Sequence, residues 1–456
     1  MQLLDGFFRS PAVEPFFTRA ATIQAILDFE AALARAEARA GVFSEGAATA
    51  IASCCRASLI DLEALEQAMP AAGNLAIPLL KQLTAIVART SPEASRYVHH
   101  GATSQDALDT GLMLQLRSAT RAVLRDLDGL ISHLAALTAT HRGTVMVART
   151  WMQHALPTTF GFVLAGWLDA CLAHRERLNS LAERSLALAF GGAVGTLAAL
   201  GDRGARIAAL LAEELALPLP RIPWHSERER IAEIAAAYGL VSATLERIAR
   251  HLSLEMQTEI AELSEPRATG RGGSSSMPHK QNPVACAAIL AATSRVPPLV
   301  SAILSAASGE YQRSLGAWQS EWETLPEIVR LAAGASHHLA ALLPRLVVNS
   351  DRMRANLELT NGLIYAEAVT FALSEKIDRS DAHRLVEGAC RRAQSERRHL
   401  REVLSGDREV GILLDSKSLH ELFEPANYLG SAHRFIEAVL TAAHSRFESP
   451  KSIARG

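Results

Sequence analysis

Aromatic side chains are scarce in this chain: Phe, Trp and Tyr make up 5% of 456 residues, although 49% are hydrophobic. The apolar excess is Ala and Leu, a composition that favours helices packed with close backbones over sheets. Net charge is also missing. With 46 basic and 48 acidic residues the balance is -2, so no overall field draws nucleic acid or an anionic membrane. Cys54, Cys55, Cys171, Cys286 and Cys390 show neither CxxC nor metal-ligand spacing and read as reduced thiols of a cytoplasmic protein. The first eleven residues contain Asp5 and Arg9 and too few apolar side chains for the core of an export signal. The longest uncharged stretch, residues 185–201, is cut by Gly191, Gly192 and Gly195 and ends at Gly201. It reads as a connection between helices, not a membrane span.

The length suits two or three domains. Residues 22–40 alternate Ile23, Ile26, Leu27 and Leu33 with Asp28, Glu30, Arg35, Glu37 and Arg39 before Gly41, which predicts an amphipathic helix with a polar outer face and a glycine stop. Long helices are expected over 112–140, 158–184, 231–264, 284–307 and 325–343. Several carry apolar residues on more than one face, so the bundle they form is expected to associate with copies of itself. The reading is all-α, with an N-terminal helical domain at 1–110, a central long-helix bundle at 111–346 and a small helical domain at 347–456.

The most informative string is residues 273–283, Gly-Ser-Ser-Ser-Met-Pro-His-Lys-Gln-Asn-Pro. Glycine and serine make it mobile and rich in donors, the two prolines stiffen its exit, and Lys280 adds one cation. Such a loop suits a carboxylate whose negative charge grows during a reaction. A solvated linker would have no use for its second half. Two other segments attract attention: residues 99–106, His-His-Gly-Ala-Thr-Ser-Gln-Asp, and residues 149–161, Arg-Thr-Trp-Met-Gln-His-Ala-Leu-Pro-Thr-Thr-Phe-Gly. Taken alone, Ser104 and Asp106 are good helix caps, Thr158 is a plausible N-cap after Pro157, and Arg313 is a surface arginine. No histidine cluster has metal-ligand spacing, and residues 191–195 lack the flanks of a phosphate loop. Trp318 and Trp322, four apart, either line a pocket or pack.

Together the three strings resemble the fumarase/aspartase superfamily, across essentially the whole chain. The resemblance implies a homotetramer with a core of twenty helices, active sites shared between subunits, and a small carboxylate substrate handled without metal or organic cofactor. Superfamily reactions remove a proton beside a carboxylate and expel a group from the next carbon, or the reverse, through an aci-carboxylate. By position, Ser274 matches the catalytic serine and Lys280 and Asn282 the stabilising donors, with His154 also catalytic. His99, Thr103, Ser104, Thr158, Ser275, Met277 and Arg313 match substrate-binding positions, and His100 reads as a loop residue.

Trp151 is the departure. The adenylosuccinate lyase branch carries histidine there as a general acid for a departing nitrogen, and indole has no proton to transfer. A lactone opens by expelling a carboxylate, whose conjugate acid has a pKa of about 4 and needs no such help. Trp151 therefore points to the branch that closes 3-carboxy-cis,cis-muconate to 4-carboxymuconolactone, lines the substrate site, and leaves an adenylosuccinate- or argininosuccinate-type lyase as the alternative. A structural protein on the same scaffold would be expected to have a damaged serine loop, and this loop is intact.

Overall fold

The computed structural model describes residues 4–267, 272–273 and 276–448. Its main elements are α1 (Arg19–Arg39), α2 (Ser104–Thr140), a hairpin of β1 (Val145–Thr150) and β2 (Gln153–Thr159), α3 (Phe160–Arg184), α4 (Glu229–Glu255), β3 (Leu263–Ser264), α5 (Val284–Thr293), α6 (Val296–Ala306), α7 (Ala317–Leu342), β4 (Val347–Val348) and α8 (Arg379–Glu396). Two short antiparallel pairs, β1 with β2 and β3 with β4, are the sheets among the described residues, so the all-α expectation holds.

Two helix boundaries differ from the sequence reading for physical reasons visible in the structure. The expected helix over 231–264 stops at Glu255, although its apolar spacing continues. Glu262 is taken instead by Arg149 and Asn356, at 2.6 Å each, and its carbonyl accepts from the Asn349 backbone. The expected helix over 284–307 is two helices, because α6 begins with prolines at its first turn that cannot continue the ladder of α5. This stretch, 284–306, is long and apolar enough to cross a membrane by length and composition; Arg295 sits at the break.

The chain forms two compact units, each assembled from three stretches: Met1–Asp128, Ala173–Glu246 and Ala288–Leu339 in the first, Gly129–Leu172, Arg247–Ala287 and Ala340–Gly456 in the second. In the first, α1 buries Ile23, Ile26, Leu27, Phe29 and Leu33. Thr18 caps its start through the Ala21 N–H, and Gly41 at φ 77° ends it. In the second, Val145 and Val147 of β1 pack into an apolar core with Val369, Leu373, Val386 and Phe423.

Candidate active site

The first unit carries the 99–106 motif in a loop that runs into α2. Thr103 stands at the helix entrance. Asp106, in the first turn, accepts from the Thr103 N–H at 2.9 Å, half of a capping box. It does more than cap. Wholly buried, Asp106 also accepts from the N–H groups of Gly191 and Gly192, at 2.8 and 3.0 Å, and lies 2.6 Å from His225 Nε2. One carboxylate thus ties the motif to the glycine-rich connection. Glycine is required there: a Cβ on Gly192 would meet the Gly101 carbonyl at 2.9 Å, and one on Gly101 would meet Leu200 at 2.4 Å.

Arg313 is not a free surface arginine. It donates to Gln105 Oε1 at 2.9 Å and to Thr103 Oγ1 at 3.0 Å, with its guanidinium 5.9 Å from the Trp318 ring centre. Trp318 in turn donates to Asp109 at 3.0 Å. Below lies a buried cluster in which Arg228 bridges Asp109, at 2.7 Å, and Glu321. Burial pushes the Glu321 carboxyl up, against the pull of Arg228. So Trp318 packs, Trp322 meets it edge to face, and Thr103, Arg313 and half-buried Ser104 come together at the start of α2.

His99 and His100 are both anchored on α1. His99 Nδ1 lies 2.6 Å from Glu30 Oε1 and His100 Nδ1 lies 2.9 Å from Glu37 Oε1. The polar face expected for α1 is corrected here: Glu30 and Glu37 are 1% and 0% exposed. His99 itself holds a left-handed φ of 58°, a strained conformation for a residue with a Cβ.

The second unit carries the other two motifs. Residues 149–159 belong to the β1–β2 hairpin, with Trp151 and Met152 as its two-residue turn, and the helix expected from 158 begins at Phe160. Both have positive φ, 54° and 64°, as a type I′ turn demands. Trp151 is 97% exposed. His154 pairs with Arg149 across the ladder. Burial, then the charge of Arg149, holds its imidazole below the usual range, with Glu262 offsetting part, so the ring is neutral at pH 7. Thr158 is a strand residue. The capping expected of it falls to Thr159, whose Oγ1 accepts from Phe162 N at 3.1 Å, and Gly161 passes so close to Arg142 that a Cβ would meet its Cα at 2.5 Å.

Of the signature loop, Ser274 and Ser275 lie outside the described residues. Its two stems are clasped: Asn282 N–H donates to the Gly272 carbonyl at 2.9 Å, and Gly273 bridges Gln281. Gln281 also donates to the Glu265 carbonyl. Buried Glu265 caps α5 through the Ala285 and Cys286 N–H groups, at 2.9 and 3.1 Å. A cavity of about 1030 Å³ is lined by Met277, Lys280 and Asn282 with Ser264 and Asn349. Lys280 is exposed and forms no ion pair among the described residues. Among them too, no three His, Cys, Asp or Glu side chains are grouped to hold a metal ion.

Residues 9–297 match the family described as Lyase, and residues 362–439 the one described as Adenylosuccinate lyase C-terminus. The chain belongs to the lyase family. It is 50% identical to a 3-carboxy-cis,cis-muconate cycloisomerase of Pseudomonas aeruginosa over 97% of each chain. It is 49% identical to another of that name from Bradyrhizobium diazoefficiens, over 94% of this chain and 98% of that one. A crystal structure of 3-carboxy-cis,cis-muconate lactonizing enzyme from Pseudomonas putida superposes with TM-score 0.93 and 46% identity, over 98% of this chain and 100% of that one.

Within the lyase scaffold, the residues that the sequence did not disclose are the supporting ones. His225, Arg228 and Asp109 belong to no recognised string. Glu30 and Glu37 had one usable signal: carboxylates seven apart return to the same helix face after two turns, so both had to face the same surroundings.

Proposed function

We propose that this chain interconverts 3-carboxy-cis,cis-muconate and 4-carboxymuconolactone. In the closing direction an ionised substrate carboxylate forms a C–O bond to its own conjugated double bond. The displaced electron pair moves onto the neighbouring carboxylate as an aci-carboxylate, and a proton then adds to carbon. Lys280 and Asn282 stabilise that charge, Ser274 exchanges the carbon-bound proton, neutral His154 offers one ring N–H, and Thr103, Ser104 and Arg313 hold a substrate carboxylate. Ser275, Met277 and Thr158 contact the substrate.

The observation that carries this reading is Trp151, an indole at the hairpin tip where a nitrogen-expelling relative needs an acid. The names of the two relatives and of the solved structure support it. We further propose a cytoplasmic homotetramer acting in the protocatechuate branch of aromatic catabolism, with each active site drawing on several copies of the chain, and with helical domains at 1–110, 111–346 and 347–456. Two inactive variants, His154→Ala and Ser274→Ala, should then regain partial activity after subunit exchange; proven exchange without recovery would rule out sharing. The function itself is tested by absorbance. Addition of enzyme to 3-carboxy-cis,cis-muconate should abolish the conjugated-diene signal, and turnover of adenylosuccinate or argininosuccinate in its place would overturn the assignment.

A further inference from the structure

The two glutamates of α1 do different work on two neighbouring rings. Both meet their histidine through Nδ1, at 2.6 Å for Glu30 and His99 and 2.9 Å for Glu37 and His100, so in each ring only Nε2 is left for another partner. Both carboxylates are buried too deeply for water to share the task. His99 is also the residue held at positive φ, and between Gly101, locked against Leu200, and the Glu37 anchor it has little room to turn.

We propose that Glu30 is a positioning residue: by accepting from Nδ1–H of His99 it fixes the ring's orientation, and its negative charge favours the imidazolium whose Nε2–H meets a substrate carboxylate, while Glu37 and His100 fasten the loop from a second point. This rests on the reading of the His99 loop as carboxylate-binding. The charged groups acting on His99 are Glu30 on α1 and Asp106 at the start of α2, itself in contact with His225; Glu37, further along α1, is paired with His100. Arg313 reaches Thr103 in the same loop.

Protonation agrees with the geometry and separates the pairs. Burial pulls His99 down, but the charge of Glu30, its hydrogen bond and the charge of Asp106 raise it above the ordinary imidazole value. The ring can therefore hold both protons, Nδ1–H donating to Glu30 and Nε2–H turned to an anion. Burial, then Glu30, pushes Glu37 up to about 9. At neutral pH it is a carboxylic acid that donates to His100 Nδ1. The Glu30 pair serves the ligand; the Glu37 pair holds the loop.

The test compares the full-length wild type with Glu30→Gln. The amide preserves size but lacks charge, so His99 should titrate lower and its Nε2 should lose its proton over more of the working range. KM for 3-carboxy-cis,cis-muconate should rise roughly tenfold to a hundredfold, as for loss of a hydrogen bond to a charged group. The fall in kcat should be much smaller, and the alkaline limb of kcat/KM should move to lower pH. Glu30→Asp, still anionic, should restore that limb in part, and it serves as the readout should Glu30→Gln not assemble. An unchanged KM and pH profile in a folded Glu30→Gln protein, or in Glu30→Asp a limb displaced as far as in a charge-free variant, would overturn the proposal. Histidine ¹⁵N spectra of the substrate-free protein separate this from the assignment of function: a His99 signal with Nδ1 unprotonated at pH 7 defeats the Glu30 role whatever the substrate.

Discussion

The His99 loop and the Trp151 hairpin both hold bulky residues in the left-handed region, and they are kept there by opposite means. Around His99 every strained bond has a visible restraint: Glu30 and Glu37 on one side, Asp106 with its buried partners on the other. At Trp151 the turn hangs on the strand ladder and on the Gln153 amide, which donates to the Met152 carbonyl at 3.3 Å, and the indole is exposed. Left-handed geometry costs about 1–2 kcal/mol per residue with a Cβ. In the loop that cost is offset by packing and hydrogen bonds. In the hairpin Asn-Gly would relieve it, and Trp-Met carries it instead.

The largest expected effect breaks the restrained side. Asp106→Ala strands two glycine N–H groups, the Thr103 N–H and His225, and should cost about 3–5 kcal/mol, as for removal of one member of a buried network. Thermal unfolding measures it; a melting temperature equal to wild type would mean that the loop is held by something else. On the other side chemistry and stability should come apart. Lys280→Met and Ser274→Ala should each lower turnover at least about a hundredfold, with melting nearly unchanged. Near-normal turnover in Ser274→Ala with loss in Ser275→Ala would move the catalytic role one residue along.

The tip itself gives an effect of opposite sign on the two readouts. Trp151→Asn combined with Met152→Gly should stabilise the hairpin by about 1–2 kcal/mol through an unstrained I′ turn, yet depress activity. Trp151→Phe should keep a sizeable share of turnover, and Trp151→His should bring no gain on the lactone; a faster Trp151→His enzyme would show proton chemistry at this position. The last effect is electrostatic. Folded Glu37 keeps its proton up to about pH 9, while the unfolded chain releases it near 4.5. Between these values the folded state binds the extra proton, so stability falls as pH rises. Glu37→Gln, neutral throughout, should match wild type in melting near pH 4.5 and exceed it by a few degrees at pH 8. A variant less stable than wild type at pH 8 would show an ionised Glu37.

How far the sequence could be read follows from what each signal depends on. Helices α1, α3 and α7 were visible because Ala, Leu and Ile recur at helical spacing. The hairpin was hidden because its turn lacks the glycine or asparagine that announces positive φ, and Pro157 and two threonines resemble a helix entrance. The motif residues were legible as strings, yet their division of labour was not: Asp106 as a four-way tie depends on Gly191, Gly192 and His225, which are remote in sequence. Buried Glu30 and Glu37 read as a solvated face, since charge patterning records polarity and not what stands opposite.

The hairpin tip also makes the protein its own spectroscopic gauge. Of five tryptophans, Trp167, Trp224 and Trp318 are at most 3% exposed, Trp322 is partly covered, and Trp151 is 97% exposed. Emission from the buried rings should lie to the blue and resist acrylamide, whereas Trp151 should emit at the red edge and be quenched first. Whatever covers the tip, a second copy of the chain or a bound tricarboxylate, should shift that red component and shield it, so that dilution and ligand titrations can be followed by light without any attached dye.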